Sequence, residues 1–174
     1  MQRSMNDVVV PDARSSIEPG SGTVTATVDL ACSPERAYRM LVTAETERWW
    51  GSPDTYRMRD WSSDLRPGGS WRVLVCPVDG GQLPAAGEFV EFDPPERIVQ
   101  TRRYEFDHPT LGRRETLVTY ALERRAGGSR LTVTHEGFRG LHATAAEHAF
   151  GWARMLGWLQ AYARDVRAHE GARS

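Results

Sequence analysis

The chain has 174 residues, 40% of them apolar, with 22 basic and 23 acidic side chains and a net charge of -1. That length and apolar content fit one folded domain with its own core and exclude wholesale disorder. The interspersed, near-neutral charge leaves no basic footprint for nucleic acid, and no apolar run approaches the roughly 20 residues that span a bilayer, so neither is an expected partner.

Residues 1–22 are polar and punctuated by Pro11, Pro19, Gly20 and Gly22, which predicts a flexible N-terminal tail. Residues 169–174 read as a similar C-terminal tail, leaving 23–168 as the folded unit. Residues 23–30 alternate, with Val24, Ala26, Val28 and Leu30 on one face of a first strand. Cys32 follows. It and Cys76 are the only cysteines, form no CxxC pair, and read as free thiols of a reducing compartment; the expected location is the cytoplasm. Ser33-Pro34-Glu35 is a helix start, with Ser33 as N-cap and Pro34 in the first helical position. Residues 44–48 predict a second short helix.

About six strands come next. They cover residues 56–62, a stretch holding Trp71, Val73 and Val75, and residues 88–93, 98–106, 116–122 and 130–135. Pro67-Gly68-Gly69, Asp79-Gly80-Gly81 and Gly127-Gly128 read as turns between them. A long helix is predicted over 144–168. Ala145, Ala149, Trp152, Leu156, Leu159, Ala163 and Val166 keep the period of one buried helical face. Gly151 and Gly157 interrupt it at a cost of about 1 kcal/mol each against alanine. Close approach to a sheet, or room for a bulky group, would offset that cost. The order implies an α+β domain in which a curved antiparallel sheet wraps a long C-terminal helix, with two short helices after the first strand.

Several local motifs carry a family resemblance. They are Ser33-Pro34-Glu35-Arg36-Ala37-Tyr38, Arg48-Trp49-Trp50, Asp64-Leu65-Arg66-Pro67-Gly68-Gly69, Gly87-Glu88 with Asp93-Pro94-Pro95-Glu96-Arg97, the run Leu131 to Phe138, and Gly151-Trp152. In this order the chain resembles the START-like (SRPBCC, birch-pollen-allergen-like) superfamily, and within it the branch named after the activator of the heat-shock chaperone ATPase. The resemblance implies a helix-grip fold with a cavity between sheet and C-terminal helix. It does not fix an activity, because members bind lipids, hormones or polyketides, and some catalyse cyclisations or hydrolyses. The eukaryotic activators engage the chaperone through a separate N-terminal domain, which the 22-residue tail is too short to supply.

Strand alternation then nominates the cavity wall. Trp71, Tyr104, Tyr120, Val133 and His135 share inward phases, and Trp152 and Met155 face them from the helix. Ile98 in phase would bring Gln100 and Arg102 inside as well, unless a one-residue slip turns both outward. Glu88 shares a phase with Val90 and Phe92. Facing Arg102, it would anchor the polar tip of a ligand, act in acid–base chemistry, or form an ion pair that merely closes the barrel mouth. His135 is either a proton carrier or a satisfied core histidine. With His142 and His148 it matches no metal spacing, and no cofactor motif is present, so neither metal nor cofactor is expected. The leading reading is a carrier or sensor of a small, largely hydrophobic or aromatic ligand. The alternatives are an enzyme (a cyclase, dehydratase or hydrolase on an aromatic or polyketide-like substrate) and a chaperone- or regulator-binding domain.

Overall fold

In the computed structural model, which describes residues 12–173, the apolar period near the C-terminus forms one helix, α3 (His142–Gly171). It buries Ala145, Ala149, Trp152, Met155, Leu156, Leu159 and Ala163 against a sheet. Each fully buried Leu or Met contributes about 1.5–3 kcal/mol of transfer free energy, so this stripe fixes the helix to the sheet.

The sheet has eight strands: β1 (Arg14–Ile17), β2 (Val24–Leu30), β3 (Tyr56–Ser63), β4 (Ser70–Pro77), β5 (Leu83–Asp93), β6 (Arg97–Tyr104), β7 (Thr116–Arg125) and β8 (Gly128–Glu136). Their spatial order is β1-β2-β8-β7-β6-β5-β4-β3, and every neighbouring pair is antiparallel. From β3 to β8 the chain meanders, each strand pairing with the next. The step from β2 to β3 instead crosses the whole sheet, and two short helices make that crossing. α1 (Pro34–Val42) starts as its sequence predicts, with the Ser33 hydroxyl accepting from the Arg36 N–H at 3.2 Å. α2 (Thr46–Trp49) ends in Trp49, whose indole N–H donates to the Met40 carbonyl at 2.9 Å and ties the two helices together. Glu45 joins them to α3 by accepting from Arg36 Nη1 and from the Tyr162 hydroxyl, both at 2.7 Å. The result is a helix-grip α+β fold.

The expected alternation holds on most inner faces. Val24, Ala26, Val28 and Leu30 of β2, Trp71 and Val73 of β4, Val118, Tyr120 and Leu122 of β7, and Leu131, Val133 and His135 of β8 are all buried. Gln100 is buried too, and Arg102 and Tyr104 continue its phase half-buried, so the end of β6 turns polar groups inward.

Three expectations change. Part of the predicted N-terminal tail is a strand: Arg14–Ile17 pairs with Thr27 through Val24 of β2 at the sheet edge. Residues 1–11 of that tail lie outside the described residues. The second change concerns Glu88, which points out to solvent while Phe89 is buried. The cause is an irregularity in the β5–β6 register between Phe89 and Glu91, which switches the face of every side chain across it. Phe92 therefore packs on the core although Glu88, in the same nominal phase, does not. α3 also runs on to Gly171, past the predicted end at residue 168.

Candidate functional site

The helix does not fill the sheet's concave face completely. A cavity of about 280 Å3 remains beside the N-terminal half of α3. Its apolar wall is Trp50 behind α2, Met58 of β3, Val75 of β4, Leu83 of β5, and Trp152 and Met155 of α3. Gly151 also lines it, and a Cβ built there would meet no atom within 4 Å. The helical cost of that glycine thus goes with open space beside it rather than with close approach to the sheet.

A polar end is built from the last residues of β6 and the loop after it. Arg102, Tyr104, Phe106 and His108 come from this segment, and His135, Glu147 and His148 close it from β8 and α3. Tyr104 stacks on His108, with ring centroids 4.6 Å apart and planes 14° apart. The Arg102 guanidinium carbon lies 5.9, 5.7 and 5.6 Å from the ring centres of Trp50, Trp71 and Tyr104. Among the described residues no carboxylate pairs with it. At the rim, Arg154 lies over Trp158, Phe150 and Tyr56 at 5.1, 5.5 and 5.6 Å, and its buried Nε has no hydrogen-bond partner.

Hydrogen bonds fix the tautomer of each of the three cavity histidines. The Trp152 indole N–H can only donate, and it donates to His135 Nδ1 at 2.9 Å. His135 therefore carries its proton on Nε2 and donates to the Thr116 hydroxyl at 2.7 Å, which donates in turn to the Arg102 carbonyl at 3.2 Å. Burial pushes His135 well below the usual imidazole range, and the nearby His148 and Arg102 push it the same way. Its lone pair is occupied, so it does not serve as a proton acceptor for a cavity ligand.

His148 is the reverse case. Its Nδ1–H donates to the Thr144 carbonyl at 2.8 Å, one helical turn back. That leaves the Nε2 lone pair facing the Tyr104 hydroxyl at 3.5 Å. Burial lowers its pKa, the Thr144 bond opposes the shift, and Arg102 adds to it. His108 Nδ1 accepts from the Leu111 and Thr110 N–H groups at 3.2 and 3.3 Å, so its proton sits on Nε2. Burial lowers its pKa as well, against the pull of Glu147. Burial thus favours the neutral form of all three rings.

Of the residues nominated from sequence, Arg102, Tyr104, His135, Trp152 and Met155 come together on the cavity wall. Trp71, Tyr120 and Val133 face inward but lie in the packed core behind it: Trp71 under Arg102, and Tyr120 edge-on to Trp152 at 6.1 Å. Glu88 is exposed on the outer face and cannot pair with Arg102 inside. The sequence reading passed over Trp50, Met58, Leu83, His108, His148 and Arg154 as cavity residues. His148 and Arg154 could have been found from the helical period, since each sits three residues from Gly151 on one side of α3. His108 lies in a loop without periodicity and gave no such signal. Among the described residues no group of three or more His, Cys, Asp or Glu side chains could hold a metal ion, and no helix is long and apolar enough to cross a membrane.

The family model described as "Activator of Hsp90 ATPase homolog 1-like protein" matches residues 31–164, which includes every strand of the cavity wall. The chain belongs to this family. Solved structures show how far the activator-homologue fold is kept. A Rhodobacter sphaeroides protein has a TM-score of 0.73 at 20% identity, covering 88% of this chain and 99% of its own. A Chromobacterium violaceum protein has a TM-score of 0.65 at 23% identity, covering 82% of this chain and 98% of its own. The AHSA1 protein of Silicibacter pomeroyi has a TM-score of 0.66 at 19% identity, covering 80% of this chain and 96% of its own. At such identities the likeness extends to the fold alone. No curated protein matches the chain.

Proposed function

We propose that this activator-homologue domain binds a small, largely apolar molecule between its sheet and α3, as a carrier or sensor. The observation that supports this most is the cavity itself. Its volume of about 280 Å3 lies just below the usual range of small-molecule sites, roughly 300–1,000 Å3, and its walls are mainly aromatic and thioether side chains with a few convergent polar groups. The neutral dye 1-naphthylamine, two fused rings with one short polar group, is expected to bind the folded protein and to quench tryptophan emission, because Trp50 and Trp152 line the site. Gly151→Leu should fill the space in front of Trp152 and raise the dye's Kd at least about tenfold. It should not lower the melting temperature, since leaving glycine gains about 1 kcal/mol in a helix interior. A parent protein that binds no dye, or a Gly151→Leu variant that binds it equally well, would remove the carrier reading.

A catalytic reading has one observation in its favour. His148 accepts only a long, weak bond at Nε2, from the Tyr104 hydroxyl at 3.5 Å, and its ring is oriented by Thr144, so a water could replace the hydroxyl at that lone pair. Such a base could activate water against an aromatic ester. On this reading the protein hydrolyses 1-naphthyl acetate, and His148→Gln loses about 100-fold of that rate, the ordinary contribution of general base catalysis. A parent without turnover leaves the carrier reading alone.

A further inference from the structure

Arg102 raises a problem that an apolar ligand does not solve. Its guanidinium brings five N–H donors and a permanent charge to the cavity wall. Three aromatic rings lie around it at 5.6–5.9 Å, and a ring face attracts the charge but accepts little from the donors. No carboxylate reaches it among the described residues; Glu88, nominated from the sequence, points to the opposite side of the sheet. A purely apolar occupant would displace water from these donors and leave them unpaired, at a cost of the same order as the hydrophobic gain. The occupant must therefore bring an acceptor of its own.

The surrounding charges decide what kind. Arg102 and Arg154 line the cavity, and the one acidic group lining it is Glu147, exposed at the mouth, where it accepts from the Thr110 hydroxyl at 2.8 Å. The histidines add no negative charge, and His108 directs its Nε2–H away from the loop amides that occupy Nδ1. The balance is positive, in a setting of low polarity where a charge-assisted bond is strongest. The volume equals that of about nine water molecules, enough for one or two fused rings and a short polar group.

We infer that the cavity selects a small aromatic carboxylate, with Arg102 clamping the carboxylate and the ring system lying along Trp152, Met155 and Met58. The inference rests on the cavity-binding reading above and deepens it. The flat, forked guanidinium matches a carboxylate in two parallel bonds, which lysine could not do. Trp71 supports it from below, being held to the Thr101 carbonyl by its indole N–H at 3.1 Å.

The test uses three probes of one shape: 2-naphthoate, neutral 2-naphthalenemethanol and cationic 2-naphthylmethylammonium, titrated calorimetrically into the full chain at pH 7.5. The expected order is carboxylate, then alcohol, then ammonium, with the carboxylate about 10- to 100-fold tighter than the alcohol, the usual worth of a hydrogen bond to a charged group. Arg102→Met should abolish the carboxylate's advantage and leave alcohol binding within about threefold. If that variant does not fold, the probe order on the parent decides alone. Alcohol or ammonium binding as tight as the carboxylate overturns the inference while the cavity reading stands. Binding of none of the three probes, nor of the neutral dye, overturns both.

Discussion

A Gly87→Ala variant is expected to lose at least about 3 kcal/mol of stability, although it adds one methyl group to a strand. Gly87 sits opposite Trp71 in the β4–β5 register, where the Trp71 indole crosses the strand to donate to the Thr101 carbonyl. A Cβ at residue 87 would lie 2.6 Å from Trp71 Nε1 and still closer to the Thr101 carbonyl oxygen. The carbonyl is backbone and cannot swing aside, so β5 and β6 must separate, and the indole must shift as well. Overpacking of a core usually costs about 1–3 kcal/mol, and a backbone obstruction belongs at or above the top of that range. For a chain of this size 1 kcal/mol shifts the melting temperature by about 2–4 °C, so a fall of about 6–12 °C or more is expected in thermal circular dichroism. The displaced indole also stacks on Trp61 at 5.7 Å and underlies Arg102, so 2-naphthoate should bind more weakly even where the variant remains folded. A melting temperature within about 2 °C of the parent, less than 1 kcal/mol on that scale, would show that the strands yield and that the close approach has no structural weight.

The same segment shows where sequence reasoning stops. Binary patterning located nearly every element, because Val118-Tyr120-Leu122 or Ala149-Trp152-Leu156 keep one face buried whatever the details. It could not assign Glu88, because an irregular register just beyond it leaves the pattern of letters unchanged while it exchanges the faces. It missed β1 because Arg-Ser-Ser-Ile carries no apolar alternation, and the strand pairs at an edge where three of its four residues stay exposed.

The site was legible only by half. Alternation states that Trp71, Tyr120, Val133 and Arg102 all point inward. Whether an inward side chain meets another side chain or open space depends on what the facing helix presents. Trp152 covers Tyr120, while Gly151 leaves the neighbouring volume free. His108 reaches the cavity through a loop that doubles back, bridging to Gly112 and stacking on Tyr104, which no periodicity encodes.

The sequence leaves His135 open between a proton carrier and a satisfied core histidine, and its surroundings predict a stability role with a pH signature. His135→Leu is expected to cost about 2–4 kcal/mol at pH 7.5, because the Trp152 indole N–H loses its acceptor in a buried position and the Thr116 hydroxyl loses its donor. The cost should shrink as the solution is acidified. In the folded protein the imidazole stays neutral well below the pH at which it protonates in the unfolded chain, near 6.5. Between those two values the unfolded chain binds a proton that the folded one does not, so stability falls with falling pH by up to about 1.4 kcal/mol per unit. Above about pH 7 both forms are neutral and the contribution is complete. His108 and His148, whose pKa values are also lowered, act with the same sign and steepen the acid limb of the parent. The His135→Leu variant lacks one of these three titrations. The stability gap between parent and variant, measured by urea unfolding at pH 7.5, 6.0 and 5.0, should therefore narrow by about 1 kcal/mol per pH unit below 6.5. A gap that stays constant would mean that His135 protonates alike in the folded and unfolded chains. The Trp152–His135–Thr116 chain would then not hold the imidazole neutral, and its Nδ1 would again be free to take a proton from a ligand.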